Sequence, residues 1–172
     1  MPLEGTHLGA PVSIPDLDKP NQEFYAHCSS GVLHLQHCSE CDLVRYPTTT
    51  ACPWCMSPEY NWKPMSGKGH VYSYAEIHHA IQPAFREHTP YALLLVELDE
   101  QKDQPNEYDW LRLNGNLVTN NGVLAPPDLV AQIGIGSRVR VIMNDLGEGI
   151  ALPQWVLDDS VKQPENVWRY PD

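Results

Sequence analysis

The chain has 172 residues and a formal net charge of −11, with 11 Lys and Arg against 22 Asp and Glu. Binding to a nucleic-acid backbone rests on cations that neutralise phosphates, and with no local run of them in the sequence this balance speaks against nucleic acid as a partner. Sixteen prolines and eleven glycines argue against long helices and fit short strands joined by many turns.

The first thirty residues read as an N-terminal arm with a short helix. Residues 1–20 are rich in Gly and Pro and predict an extended, poorly ordered arm. From Asn21 to about Ser30 a short helix is predicted, closed by Gly31, with Phe24, Tyr25 and Cys28 on one face. No stretch approaches the roughly 20 apolar residues of a membrane span, and the start lacks a basic segment followed by an apolar run. The expected location is the cytoplasm.

Residues 31–65 form a cysteine module. Leu33 and Leu35 alternate as in a strand leading into Cys38-x2-Cys41, which is followed after ten residues by Cys52-x2-Cys55. Each CxxC turn can present two sulfurs to one ion, and two such turns complete a tetrahedron. In a reducing compartment that pattern reads as a metal site, not as disulfides. One structural zinc ion is the expectation, with iron in a rubredoxin-like site as the alternative. A redox CxxC would need a thioredoxin-like βαβ context that the sequence lacks.

Residues 66–158 alternate between apolar runs and turn signals. Val71, Ser73 and Ala75 are predicted on one face of a first strand, with Tyr72, Tyr74 and Glu76 on the other. The run from Tyr91 to Leu98 reads as a strand buried on both sides. Strands are also expected around Trp110–Val118, Ser137–Asp145 and Ile150–Asp158, with Pro153 at an edge or bulge. Five short strands over about ninety residues match a five-stranded Greek-key barrel, the OB-fold, with a sandwich as the alternative. Residues 159–172 form a C-terminal tail in which Trp168 and Tyr170 either grip a partner or fold back on the domain. The fold class expected overall is mainly β, a short helix and rubredoxin-like ribbon followed by the barrel.

The order of these parts resembles a known family. The matching pieces are Gly31-Val32-Leu33, Gln36-His37-Cys38 with Cys41, Tyr46-Pro47, Cys52-Pro53-Trp54-Cys55, Trp62, and Ser66 through Tyr74. Pro90-Tyr91 with Leu94, Val96 and Leu98, and Ile133 through Gly136 with Val139 and Val141, continue the likeness. This is similar to the zinc-ribbon/OB-fold proteins long called a domain of unknown function and often encoded beside thiolase-like enzymes. The resemblance implies an accessory subunit in a hetero-oligomer with a thiolase-fold or aldolase partner, sharing an acyl-CoA ligand (in one branch, a steroid-CoA). It implies no independent catalysis.

The residues themselves agree with that expectation. No GxSxG elbow is present, Cys28 reads as core packing, and a four-cysteine site leaves no position for a reactive water. The loop between the first two barrel strands supplies the candidate ligand-binding residues His78, Phe85, Arg86, His88 and Tyr91, with Arg86 or His88 placed for phosphate groups. The rival readings are a nucleic-acid-binding ribbon/OB module, using Trp54, Trp62, Tyr72, Tyr74 and Trp110 as a stacking platform, and a stand-alone acyl-CoA enzyme with His78, His79 or His88 as base. His37 reads as a surface residue.

Overall fold

The computed structural model describes residues 1–171. At the N-terminus, strands β1 (Leu3–His7) and β2 (Ala10–Ile14) form an antiparallel hairpin paired from Leu3↔Ile14 to His7↔Ala10. The poorly ordered arm expected for residues 1–20 is therefore corrected. Leu8 (φ 51°) and Gly9 (φ 81°) make the turn, and two positive φ values suit the right-handed twist of a two-residue hairpin. Alternate residues of both strands are half-buried. Gly5 lies so close to the barrel that a Cβ there would meet the Leu146 carbonyl oxygen at 2.7 Å.

Helix α1 (Lys19–Ser29) starts with a proline in its first turn, where the missing N–H costs nothing. It ends at Gly31 (φ 85°), whose N–H donates to the Cys28 carbonyl at 2.9 Å. Phe24 and Cys28, four residues apart, are buried, and Tyr25 packs beside them. The helix packs chiefly on the barrel strand Ile150–Leu157 and also touches a three-stranded sheet of β3 (His34–Cys38), β4 (Val44–Arg45) and β5 (Tyr60–Pro64), in the order β4-β3-β5. Glu23 of the helix accepts from Tyr60 Oη at 2.9 Å and from Trp62 Nε1 at 3.0 Å on β5.

The barrel strands are β6 (Lys68–Ile77), β7 (Tyr91–Leu98), β8 (Arg112–Asn116), β9 (Arg138–Gly147) and β10 (Ile150–Leu157), in the order β10-β9-β6-β7-β8. A parallel bridge between Leu117 and Trp155 brings the two ends of the sheet together, which gives a five-stranded closed barrel of OB type. A 3-10 turn (Pro83–His88) lies between β6 and β7, and the short helix α2 (Pro127–Val130) between β8 and β9. Pro153 pairs with Met143 on β10, a terminal strand of the sheet order, as its missing N–H requires.

Two details of the barrel correct the sequence expectation. A bulge between Val71 and Ser73 shifts the register of β6, so Val71 and Tyr74 both enter the core while Tyr72 is exposed; the simple two-residue alternation fails there because the bulge inserts one residue. Strand β7 is buried along the whole of one face, and on the other face only at Glu97. Ala92, Leu94, Val96 and Leu98 point inward, whereas Leu93 is 38% exposed.

One apolar cluster runs from Phe24, Cys28, Leu33 and Leu35 into the barrel interior at Val71, Leu94, Leu113 and Trp155. Helix, ribbon and barrel thus share a core, and each buried Leu or Val contributes roughly 1.5–3 kcal/mol of transfer free energy. Gln101, after β7, clasps β4: its side chain accepts from Val44 N at 2.5 Å and donates to Val44 O at 2.7 Å. The tail folds back on the barrel. Trp168 bridges Ile135, Arg169 pairs with Glu76 at 2.7 Å and donates to the Ile133 carbonyl, and Tyr170 N donates to Tyr74 Oη.

Candidate metal centre and ligand loop

The two CxxC turns have the same backbone pattern. Cys38 N donates to Leu43 O at 2.9 Å and Asp42 N to Cys38 O at 3.1 Å; Cys52 N donates to Ser57 O at 2.8 Å and Met56 N to Cys52 O at 2.9 Å. The residue after the second cysteine is left-handed in both, at φ 62° for Asp42 and 65° for Met56. The strands position one turn, since Cys38 is the last residue of β3, and the Thr48–Ala51 loop brings the other opposite it.

The four sulfurs all lie within 4.8 Å of one another. Cys38 to Cys55 is 3.5 Å and Cys41 to Cys52 is 3.6 Å. A tetrahedral ion with sulfur ligands about 2.3 Å away has S···S edges of about 3.8 Å, so the donor set fits one metal ion. The Cys41 amide holds the Cys38 thiol down to about 6, burial opposing it and the Glu40 amide reinforcing it. At Cys52 burial opposes the thiolate, and the Cys55 and Trp54 amides outweigh it, lowering the pKa. Backbone donors therefore favour the anionic sulfur at Cys38 and Cys52, whereas burial pushes the Cys41 thiol up to about 12, and at Cys55 the Ser57 amide is outweighed by burial and the Cys38 sulfur, which raise it. Cys28 has the opposite environment: burial pushes its thiol up to about 12, which fits core packing and not nucleophilic chemistry. His37 is half-buried, not a free surface residue, and its Nε2 lies 2.7 Å from Asp42 Oδ1, beside the first turn.

The five candidate loop residues do not converge. The rings of Phe85 and Tyr91 meet at 5.3 Å, tilted by 41°, and pack on a small second core of Val118, Leu124 and Val156. His88 lines a groove of about 480 Å³ with Gln82, Ala84 and Glu87 on one side and Leu8, Gly9 and Ala10 of the hairpin tip on the other. His78 lies elsewhere, in a groove of about 220 Å³ with Tyr74, Glu76, Arg169 and Tyr170. Arg86 is exposed on the 3-10 turn. His7 is the residue that the sequence did not single out. Its ring stands edge-on to Phe85 at 5.5 Å, its Nε2 is buried without a partner, and burial followed by repulsion from His88 lowers its pKa. The only signal for it was the alternation along β1, hidden by the Gly- and Pro-rich composition around it.

The aromatic residues also separate. Trp62 faces α1, Tyr74 enters the core, and Tyr72 and Trp110 lie toward the β6–β7–β8 side of the barrel. They do not form one platform.

Ribbon, barrel and all-sulfur cluster together define a metal-ribbon/OB-fold protein. A family profile for the ChsH2 C-terminal OB-fold domain matches residues 62–144. A solved structure of the Ltp2-ChsH2(DUF35) aldolase is similar over 83% of this chain and 98% of its own, with 30% identity and a TM-score of 0.64. Among curated proteins, a DUF35 domain-containing scaffold protein of Methanocaldococcus jannaschii is 28% identical over 125 residues, 72% of this chain and 76% of that protein. A probable enoyl-CoA hydratase alpha subunit of Thermomonospora curvata is 35% identical over 86 residues, half of this chain but only 26% of that protein's length. The chain belongs to the DUF35 family of OB-fold proteins. Among the described residues, no helix is long and apolar enough to cross a membrane.

Proposed function

We propose that this chain is a cytoplasmic accessory subunit that binds a thiolase-like or aldolase partner and helps form that partner's acyl-CoA channel. The observation that carries this reading is the likeness along 98% of a solved chain of the Ltp2-ChsH2(DUF35) aldolase. The chain's own chemistry supports it. The free thiol is buried and held protonated, and the four remaining cysteines are gathered at one point. In this reading Cys38, Cys41, Cys52 and Cys55 hold one structural zinc ion, which when bound ties the two turns together and offers no open coordination position.

Arg86 and His88, exposed on the 3-10 turn, face the phosphates of the CoA, while Phe85 and Tyr91 support the turn from beneath and His78 edges the neighbouring groove. The working units are the arm and helix at 1–30, the ribbon at 31–65, the OB-fold at 66–158 and the tail at 159–172. Placement beside the steroid side-chain aldolases is the finer form of the same proposal.

The test is affinity purification of the tagged chain from its native extract, followed by assay of the complex and of the chain alone on acyl-CoA esters. A near-stoichiometric thiolase-fold subunit, and activity confined to the complex, is the expected result. Turnover by the isolated chain would end the accessory assignment.

A further inference from the structure

Arg45, the last residue of β4, is only 2% exposed, and a guanidinium keeps its charge in any protein environment. A charge withdrawn this far from water is costly unless a counter-charge lies beside it. The partners of Arg45 are neutral. Its Nε donates to Gln36 Oε1 at 3.1 Å, its Nη2 reaches the Thr49 carbonyl at 3.4 Å, and its Nη1 is buried without a partner. The ring of Tyr60 lies 5.2 Å from Cζ. The acid next along these contacts is Glu23, which is exposed and already accepts from Tyr60 and Trp62.

Register puts this charge beside the first cysteine turn. Arg45 stands opposite Gln36, and Tyr60 stands opposite Cys38. Gln36 and Cys38, two residues apart on β3, share one face of the strand. The guanidinium, between Gln36 and the Tyr60 ring, therefore runs along that face toward Cys38. The same two side chains hold the loop that carries the second turn. Thr49 N donates to Gln36 Oε1 at 2.8 Å while the Thr49 carbonyl faces Arg45. Thr49 Oγ1 then donates to Ala51 O at 2.8 Å, directly before Cys52. Both backbone groups of Thr49 are thus fixed by buried side chains of β3 and β4, three residues from a sulfur.

We infer that Arg45 is the positioning residue of the metal centre. With Gln36 it seats the loop 48–51 so that Cys52 and Cys55 meet Cys38 and Cys41, and its charge answers that of the bound centre. A divalent ion held by four thiolates carries a net −2, the counter-charge that the neutral partners of Arg45 do not supply. In the metal-free chain the buried guanidinium is a cost; with the ion in place it stabilises.

The inference rests on the four-cysteine metal assignment, and the experiment separates the two. The full chain, stripped of metal under reducing conditions, is titrated with Zn²⁺ against a chromophoric chelator and with Co²⁺, whose absorption reports tetrahedral sulfur coordination. Arg45→Met keeps an apolar stem and removes the charge and the donors, whereas Arg45→Lys keeps the charge and loses the planar fork. Glu23→Gln and the exposed Lys63→Gln are the controls. Circular dichroism and thermal denaturation are recorded for the metal-free and zinc-bound forms. For Arg45→Met the expected result is a rise of about tenfold or more in the Kd for zinc and a weakened Co²⁺ spectrum, with a metal-free form that melts no lower than metal-free wild type. Arg45→Lys should fall between, and both controls should bind as wild type does. Unchanged zinc affinity and Co²⁺ spectrum in the folded variants would overturn the inference and leave the metal assignment in place. An equal drop in melting temperature of metal-free and zinc-bound Arg45→Met, the mark of a merely structural role, would also overturn it. So would a matching loss in Glu23→Gln, which would make Glu23 the counter-ion. If Arg45→Met does not fold, Arg45→Lys decides by the same readouts. A wild-type chain that binds no ion would remove the metal assignment as well.

Discussion

At Gly69 the strand pairing leaves no room for a side chain. A Cβ there would lie 2.2 Å from the Glu97 carbonyl oxygen and 2.8 Å from Val96 Cγ1, and a backbone oxygen cannot step aside as a flexible side chain can. Gly69→Ala is expected to destabilise the barrel by about 2–3 kcal/mol, which thermal denaturation would show as a fall of several degrees. The cysteines divide as sharply. Cys52→Ser removes one of four convergent sulfurs, so metal content measured on the purified protein should fall well below one ion per chain and the melting temperature should drop. Cys28→Ala deletes a buried thiol outside the cluster; it should cost about 1–2 kcal/mol of packing and leave the metal stoichiometry unchanged. Equal metal loss in both variants would contradict the assignment of ligands. Local spacing made this division readable in advance, because a CxxC turn is specified within four residues and needs no knowledge of the fold.

Among the elements, the barrel strands and α1 were legible and the hairpin was not. The strands announce themselves through runs such as Tyr91–Leu98, and Gly31 marks the helix end. The hairpin turn uses Leu8 at a positive φ in place of the Asn or Asp that usually signals such a turn. Its stability also comes from contacts with Leu146 and Phe85 that are distant in sequence. The bulge at Tyr72 was hidden for a similar reason, since it depends on the pairing with β7. His7 makes the docking of the hairpin sensitive to pH. Burial keeps its folded-state pKa below the ordinary 6.5, so as pH falls through about 6.5 the undocked chain takes up a proton that the docked one does not. Docking should therefore weaken as pH falls below about 6.5, and the loss should level off once pH passes the folded-state value. Amide exchange at Gly5 and Thr6 would report this, and His7→Gln should flatten the dependence.

For the whole molecule, one continuous core makes ribbon and barrel a single cooperative unit, which sequence patterning alone did not reveal. Whether Trp168 and Tyr170 would reach for a partner or return to the barrel was open from the sequence; their contacts with Ile135 and Tyr74 depend on where the barrel loops lie in space. Arg169 is the anchor, bonded to the Val130 and Ile133 carbonyls and to Glu76. Arg169→Ala should loosen the tail and lower stability by about 1–3 kcal/mol, and limited proteolysis within residues 163–171 would follow it. The Gln101 clasp has a consequence of another kind. Strand β4 lies at the edge of its sheet and would otherwise offer the Val44 N–H and C=O to any extended chain that drifts by. By occupying both groups, the amide of Gln101 works as a guard against self-recruitment into aggregates, a need that is greatest at high concentration.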